Sequence, residues 1–249
     1  MTILEKETFI CLDIEATGLD TKSDKIIEIA MVKFTFSEIL DKFETLIDPK
    51  RDIPKISQDI HNISDDMVKG KPFIEDVLPD ILNFIKGNFI VGHGIGYDIS
   101  LIDSEAKRSS VPCSIISNTH IDTLRLARLY GESPVNSLEA LRKHFNIAFE
   151  GAHRAMNDVI VNIEVFKRLT NKFKTTSQLL NRLRQPILIK AMPLGKHKGR
   201  PFSEIPEDYL RWAVRKDFDQ DLIFSIKTEL KNRQKRINFG QAANPFYDL

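Results

Sequence analysis

The sequence predicts an α/β fold: a sheet opened by an antiparallel meander, flanked by helices and followed by a small basic module. Three observations carry this. The apolar runs come in the order three strands, helices, a strand, a helix, a strand, then helices, which disfavours a purely alternating βαβ barrel. The link between the second and third runs is short enough for a hairpin. The charge balance reverses near Thr175: residues 1–174 hold 22 basic and 27 acidic side chains, a net of −5, and residues 175–249 hold 14 and 8, a net of +6.

Thr8–Ile14 is short, apolar and rich in β-formers, which predicts a buried strand ended by the turn residues Thr17 and Gly18. Lys25–Phe36 and Glu38–Ile47 read as the next two strands, and Pro49 and Pro54 mark a loop. Ser64 is placed to cap a short helix. Phe73–Lys86 has helical apolar spacing at Ile74, Val77, Leu78, Ile81, Leu82 and Ile85, with Gly87 past its last turn. Asn88–His93 is a further strand, Tyr97–Lys107 a helix, and Ser117–Ile121 a last strand. Thr123–Leu129, Ser137–Phe145 and Ala155–Phe173 read as helices.

These elements give a domain over residues 1–174 and a second module over 175–249. In the module, Gln185-Pro186 and Met192-Pro193 read as linker or edge elements. The glycine-bracketed turn PLGKHKGRPF follows, then helices over Pro206–Lys216 and Leu222–Arg236 and a loose tail over Gln241–Leu249. Val165–Ser203 contains ten Lys or Arg and no Asp or Glu, which fits a polyanionic partner, although a solvated helix face has the same signature. No apolar run reaches the ~18 residues of a membrane span. Glu5, Lys6 and Glu7 occupy the stretch where a signal peptide is apolar, and Cys11 and Cys113 are far apart. A cytoplasmic protein with no disulfide framework, no cysteine zinc site and no membrane partner is expected.

Three segments carry candidate chemistry. Asp13 and Glu15 end the first strand, and side chains two apart share a strand face. Adjacent carboxylates there are costly unless a cation is shared, although two surface acids on a strand end have the same pattern. In GHGIGYD a strand opens through three glycines into a helix near Asp98. An Asp in a first turn also has an ordinary capping role, and His93 alone is more often structural. His153 and Asp158 precede or begin a long helix. Positions five apart diverge by about 140° on a helix, so the two meet only if His153 lies in the loop before it. Asp158 adjoins Val159-Ile160-Val161, where a lone buried carboxylate is expensive.

Taken in order, these motifs resemble the DEDD superfamily of 3′→5′ exonucleases, in the branch with a histidine in its last motif. The matching residues are Asp13 and Glu15 in DIEATGL, Asp98 in GHGIGYD, and His153 with Asp158. Ile60-His61-Asn62-Ile63 and Asp122-Thr123-Leu124 are similar to internal segments of that family. Gly94, Tyr97 and Ala16 stand where the family more often has Asn, Phe and Thr, and none of these departures removes a metal ligand. The resemblance covers about Phe9–Phe173 and implies a ribonuclease H-like fold with a five-stranded mixed sheet. The segments PLGKHKGRPF and Tyr209-Leu210-Arg211-Trp212 are similar to a small module attached to exonuclease X-like proteins.

The resemblance implies release of nucleoside 5′-monophosphates from DNA 3′ ends with two Mg²⁺ or Mn²⁺ ions. Asp13 would bridge the ions, Glu15 and Asp158 would complete one shell, Asp98 would hold the other ion, and His153 would be the general base. Thr17, Leu19 and His61 are expected at the terminal nucleotide, and Lys196, Lys198 and Arg200 at phosphates. The spacing of Tyr209 and Trp212 places both on one helix face, which favours core over base stacking. RNA trimming uses the same carboxylates. A proofreading subunit docked on a polymerase is a further alternative, which a separate polymerase-binding tail would support; here the tail resembles a basic nucleic-acid module instead. A binding protein with a dead site is disfavoured by the complete set of five.

Overall fold

In the computed structural model, residues 3–130, 136–148 and 154–242 are described. Strands β1 (Phe9–Ala16), β2 (Ile26–Phe34) and β3 (Ile39–Leu46) come first, then helices α1 (Lys55–His61), α2 (Asp65–Val68) and α3 (Ile74–Ile85). Strand β4 (Phe89–Gly92), α4 (Gly96–Arg108), β5 (His120–Asp122), α5 (Thr123–Tyr130), α6 (Leu138–His144), α7 (Ala155–Leu169) and α8 (Thr176–Leu183) follow. Helices α9 (Glu207–Ala213) and α10 (Gln220–Ala242) come last. The sheet order is β3-β2-β1-β4-β5. The first three strands are antiparallel, and β1-β4-β5 are parallel. This is the mixed five-stranded sheet expected from the sequence. None of the described helices is long and apolar enough to cross a membrane.

Strand β1 is central and covered on both faces, which explains its near-continuous apolar run. Its alternation sorts side chains between two layers. Ile10, Leu12 and Ile14 pack with the apolar stripes of α3 and α4. Phe9 and Cys11 face α7: the Phe9 and Phe166 rings lie 5.1 Å apart, and the Cys11 thiol donates to the Val159 carbonyl at 3.6 Å. Phe166 also meets Phe34 and Phe36 edge-on or tilted, which locks α7 across β1 and β2. Contacts at residues 9 and 166, then 11 and 159, run the helix against the strand. The first turn of α7 therefore comes to the C-terminal end of β1, where Asp13 and Glu15 lie.

Several local expectations are corrected. Ser64 occupies a helix N-cap, but its side chain makes no capping bond; instead the next residue, Asp65, accepts from the Ile53 backbone at 2.8 Å. The last strand is shorter and later than Ser117–Ile121, because a 3₁₀ turn takes Ile115–Ser117. Helix α7 ends at Leu169 rather than Phe173, where Thr170 turns its hydroxyl back to the Phe166 carbonyl. Helix α1 lacks an amphipathic signature because it is inverted: Ile56 and Ile60 are exposed, and Ser57 and His61 are buried.

The chain divides into two units, Met1–Leu183 and Arg184–Leu249. Helix α8 belongs to the first, whereas the sequence reading begins the basic module at Thr175. In the second unit Met192, Phe202, Ile205, Leu210, Ala213, Leu222 and Ile226 form a separate core. Gln241 and Ala242 lie in α10, and the rest of the expected tail lies outside the described residues.

Phe166 is fully buried and touches three other phenyl rings. Phe166→Ala is expected to lower stability by about 3–5 kcal/mol, read by urea unfolding at constant slope.

Candidate active site

The site is built on the face of β1 that α7 covers. The register pairs Glu15 with Glu28 on β2 and slips by one residue before Ala16. Two facing glutamates repel each other. Glu28 is fully buried, and Arg154, just before α7, answers it. The guanidinium donates to Glu28 at 2.6 and 3.0 Å, and the Ala155 backbone N–H donates to the second carboxylate oxygen at 3.0 Å. This fixes the start of α7 against β2. Asp158, in the first turn, is brought beside Asp13 and Glu15, and oxygens of all three lie within 4.8 Å of one another.

Asp98 is buried at the start of α4, where its carboxylate accepts from the Ile14 backbone at 3.2 Å. It stands apart from the three-residue cluster but close enough to raise the Asp13 carboxyl. Burial, followed by Asp98, Glu15, Asp158 and Glu28, pushes Asp13 well above the usual carboxylate range. Burial, Asp158 and Glu28 raise Glu15 to about 7, against the opposing pull of Arg154. Burial raises Asp98 to about 8, although its backbone hydrogen bonds oppose the shift.

The donor set consists of carboxylate oxygens. Oxygens within 4.8 Å of one another can share a cation at metal–oxygen distances of ~2.0–2.6 Å. Such a set fits a hard divalent cation, which would neutralise charges that burial otherwise disfavours.

The other expected residues are placed as follows. Thr17 is buried, and its hydroxyl donates to Asp24 at 2.8 Å and accepts from the Lys25 backbone at 3.0 Å. Leu19 is 88% exposed. His61 is buried at the end of α1, with Nδ1 accepting from the Ile63 backbone and Nε2 without a partner among the described residues. Glu28 and Arg154 are close enough to act on its charge. Gly94 sits at φ +75°, where glycine is at ease, and its N–H donates to Asp122 at 2.9 Å. His93 bonds Thr123 and the Asn136 carbonyl, in keeping with a structural role. Lys196, Lys198 and Arg200 lie in the second unit. His153 lies outside the described residues.

Residues 10–166 match the family model RNase_T, described as "Exonuclease". The chain belongs to the exonuclease family. Membership implies divalent-metal dependence, in keeping with the acidic cluster. The chain is 33% identical to the DNA polymerase III subunit epsilon of Aquifex aeolicus (strain VF5) over 163 residues, 65% of this chain and 80% of that protein. It is 37% identical to the DNA polymerase III PolC-type of Caldanaerobacter subterraneus subsp. tengcongensis over 167 residues, 67% of this chain. That match spans only 12% of the relative's length. Exonuclease X in complex with 5′ overhanging duplex DNA aligns with a TM-score of 0.56 and 26% identity, over 70% of this chain and 98% of that one. E. coli Exonuclease I in complex with a dA16 oligonucleotide gives 0.62 at 18% identity, over 72% and 43% of the chains, a likeness of fold. Residues 181–226 match a second model, described as "Putative quorum-sensing-regulated virulence factor". The exonuclease domain thus has the ribonuclease H-like sheet expected.

Glu28 and Arg154 are site residues that motif reading missed. Their signal was one acid inside the apolar run Ile26–Val32 and one cation inside the last motif, directly after His153.

In this exonuclease domain Arg154→Met leaves Glu28 buried without its ion pair. We expect a loss of about 1.5–3 kcal/mol, part of which the added change Glu28→Gln restores, read by denaturant unfolding.

The raised carboxyls set a pH dependence. The stability contributed by their protonated forms is complete below about pH 4. It is lost as pH rises through about 7 for Glu15 and about 8 for Asp98. In a chelator the melting temperature should fall from pH 6 to 9, and Glu15→Gln should make the fall shallower. Mn²⁺ should raise the melting temperature more at pH 8 than at pH 6. A steeper fall in the variant would contradict the assignment.

Proposed function

We propose that this chain is a metal-dependent 3′→5′ exonuclease that hydrolyses DNA phosphodiester bonds and releases nucleoside 5′-monophosphates. The observation that carries the reading is the convergence of Asp13, Glu15 and Asp158 on one point at the end of the central strand. Asp13, Glu15 and Asp158 would hold one Mg²⁺ or Mn²⁺, and Asp98 would serve a second. When bound, the ions supply Lewis-acid stabilisation of phosphoryl charge and a lowered pKa for water.

The chain's own residues do the rest. His153, immediately before the anchored Arg154, takes the proton of the attacking water at its imidazole. The loop after β1 receives the terminal nucleotide: Leu19 stands exposed on the loop surface, while the Thr17–Asp24 hydrogen bond closes the foot of the loop. His61 offers its Nε2 to the same nucleotide. The Exonuclease X structure is described as a complex with DNA, which favours DNA over RNA as the substrate. The polymerase III relatives favour a second reading of the same chemistry, proofreading beside a polymerase.

Matched 5′-labelled DNA and RNA strands with Mg²⁺ test the reading. DNA should shorten stepwise from its 3′ end, faster than RNA, and Asp158→Ala should be inactive. His153→Ala should lower the rate about 10²–10⁴-fold while Mn²⁺ titration heat persists. Full activity in Asp13→Ala, Glu15→Ala or Asp158→Ala would refute the proposal.

A further inference from the structure

We infer that the second unit carries its own binding site for single-stranded nucleic acid, in which a base stacks on Trp212 and the neighbouring phosphates meet Lys196, Lys198 and Arg200. The inference rests on the nucleic-acid substrate proposed above and adds a site remote in sequence from the catalytic motifs.

The turn that carries the cations is a closed structure. Ala191 bridges to Pro201, the Met192 N–H donates to the Arg200 carbonyl at 2.9 Å, and the Gly199 N–H donates to the Met192 carbonyl at 2.8 Å. Gly199 sits at φ +82°, which lets the chain turn back at that neck. Between the neck residues His197 is buried, while Lys196, Lys198 and Arg200 point their side chains to solvent. Among the described residues none of these three makes an ion pair. Two other arginines of the unit are engaged internally. Arg211 pairs with Glu207, and Arg233 pairs with Glu229 and donates to the carbonyls of Phe202, Ser203 and Ile205. The cations of the turn therefore remain available to a polyanion.

The aromatic part adjoins them directly. The His197 ring, held between the two lysines, lies 4.5 Å from Tyr209, and Tyr209 lies 5.2 Å from Trp212. The expected core role holds for Tyr209, which packs partly buried against this unit's core, and is corrected for Trp212. Leu210 and Ala213, one residue further along α9, take the core-facing stripe, which leaves Tyr209 half-buried and Trp212 47% exposed. A large indole backed by a tyrosine and half open to water is a stacking platform. Lys216 hovers 5.0 Å over the same ring and stands ready for the phosphate that follows a stacked base. Duplex DNA hides its base faces, so an aromatic platform beside unpaired cations selects an unpaired strand.

Trp212 is the chain's single tryptophan, so its emission reports the site directly. The full chain is titrated in chelator, where no cleavage occurs, with a single-stranded thymidine 12-mer. Saturable quenching is expected at the concentrations where anisotropy of the same labelled strand shows binding. Trp212→Leu should weaken that binding roughly 5- to 150-fold. The triple change of Lys196, Lys198 and Arg200 to Ala should make the log–log salt slope shallower by about 2. Binding without change in emission, or no binding at all, overturns the inference. So does a change in emission that follows protein concentration without the strand, which would make the patch a self-association face. The nuclease reading stands or falls separately, on the Mg²⁺-dependent shortening of labelled DNA.

Discussion

A fully buried carboxylate on β2 meets the guanidinium that precedes α7, and the arrangement of the site follows from that ion pair. Without Arg154, Glu28 would be an unpaired charge among apolar side chains. With it, the start of the long helix is fixed by four hydrogen bonds to one carboxylate. Phe166 fixes the same helix near its other end. Asp158 therefore approaches β1 as part of a rigid element. An ion pair of this kind contributes modestly to net stability, and its larger effect is on where the helix begins.

The same pair bears on the acidic cluster. Arg154 offsets part of the negative potential around Glu15, yet the carboxyls of Glu15, Asp13 and Asp98 remain raised. The protein thus keeps a charge deficit that a divalent cation can fill. A second arginine in place of the ion would remove the strain and the chemistry together.

The meander, α3 and the β4–α4 junction are legible in the sequence because each is a long apolar pattern closed by turn residues. Strand β5 is less so, since three residues hold too little periodicity to set their own limits. Helix α1 is hidden by its reversed polarity, with isoleucines outward and His61 inward. Among site residues, Asp13, Glu15, Asp98 and Asp158 are legible through motif order. Glu28 is not, because its meaning depends on a partner 126 positions away. Trp212 also escapes: a spacing of three names a common face, but only the fold says which of two adjacent stripes points inward.

The first turn of α4 grips β1 and the loop after it at two points. Asp98 holds the Ile14 N–H, and the Tyr97 hydroxyl donates to the Gly18 carbonyl. Glu15, Ala16 and Thr17 are strung between these points, and Ser57 adds a third bond, to the Thr17 carbonyl. The span from Glu15 into the loop after β1 is therefore ordered as the chain folds. Under the proposed function, an incoming 3′ end would meet a surface already set, and little of its binding free energy would be diverted into arranging the loop. Tyr97 makes the outer of the two grips, so the hydroxyl that distinguishes it from phenylalanine is a source of that readiness.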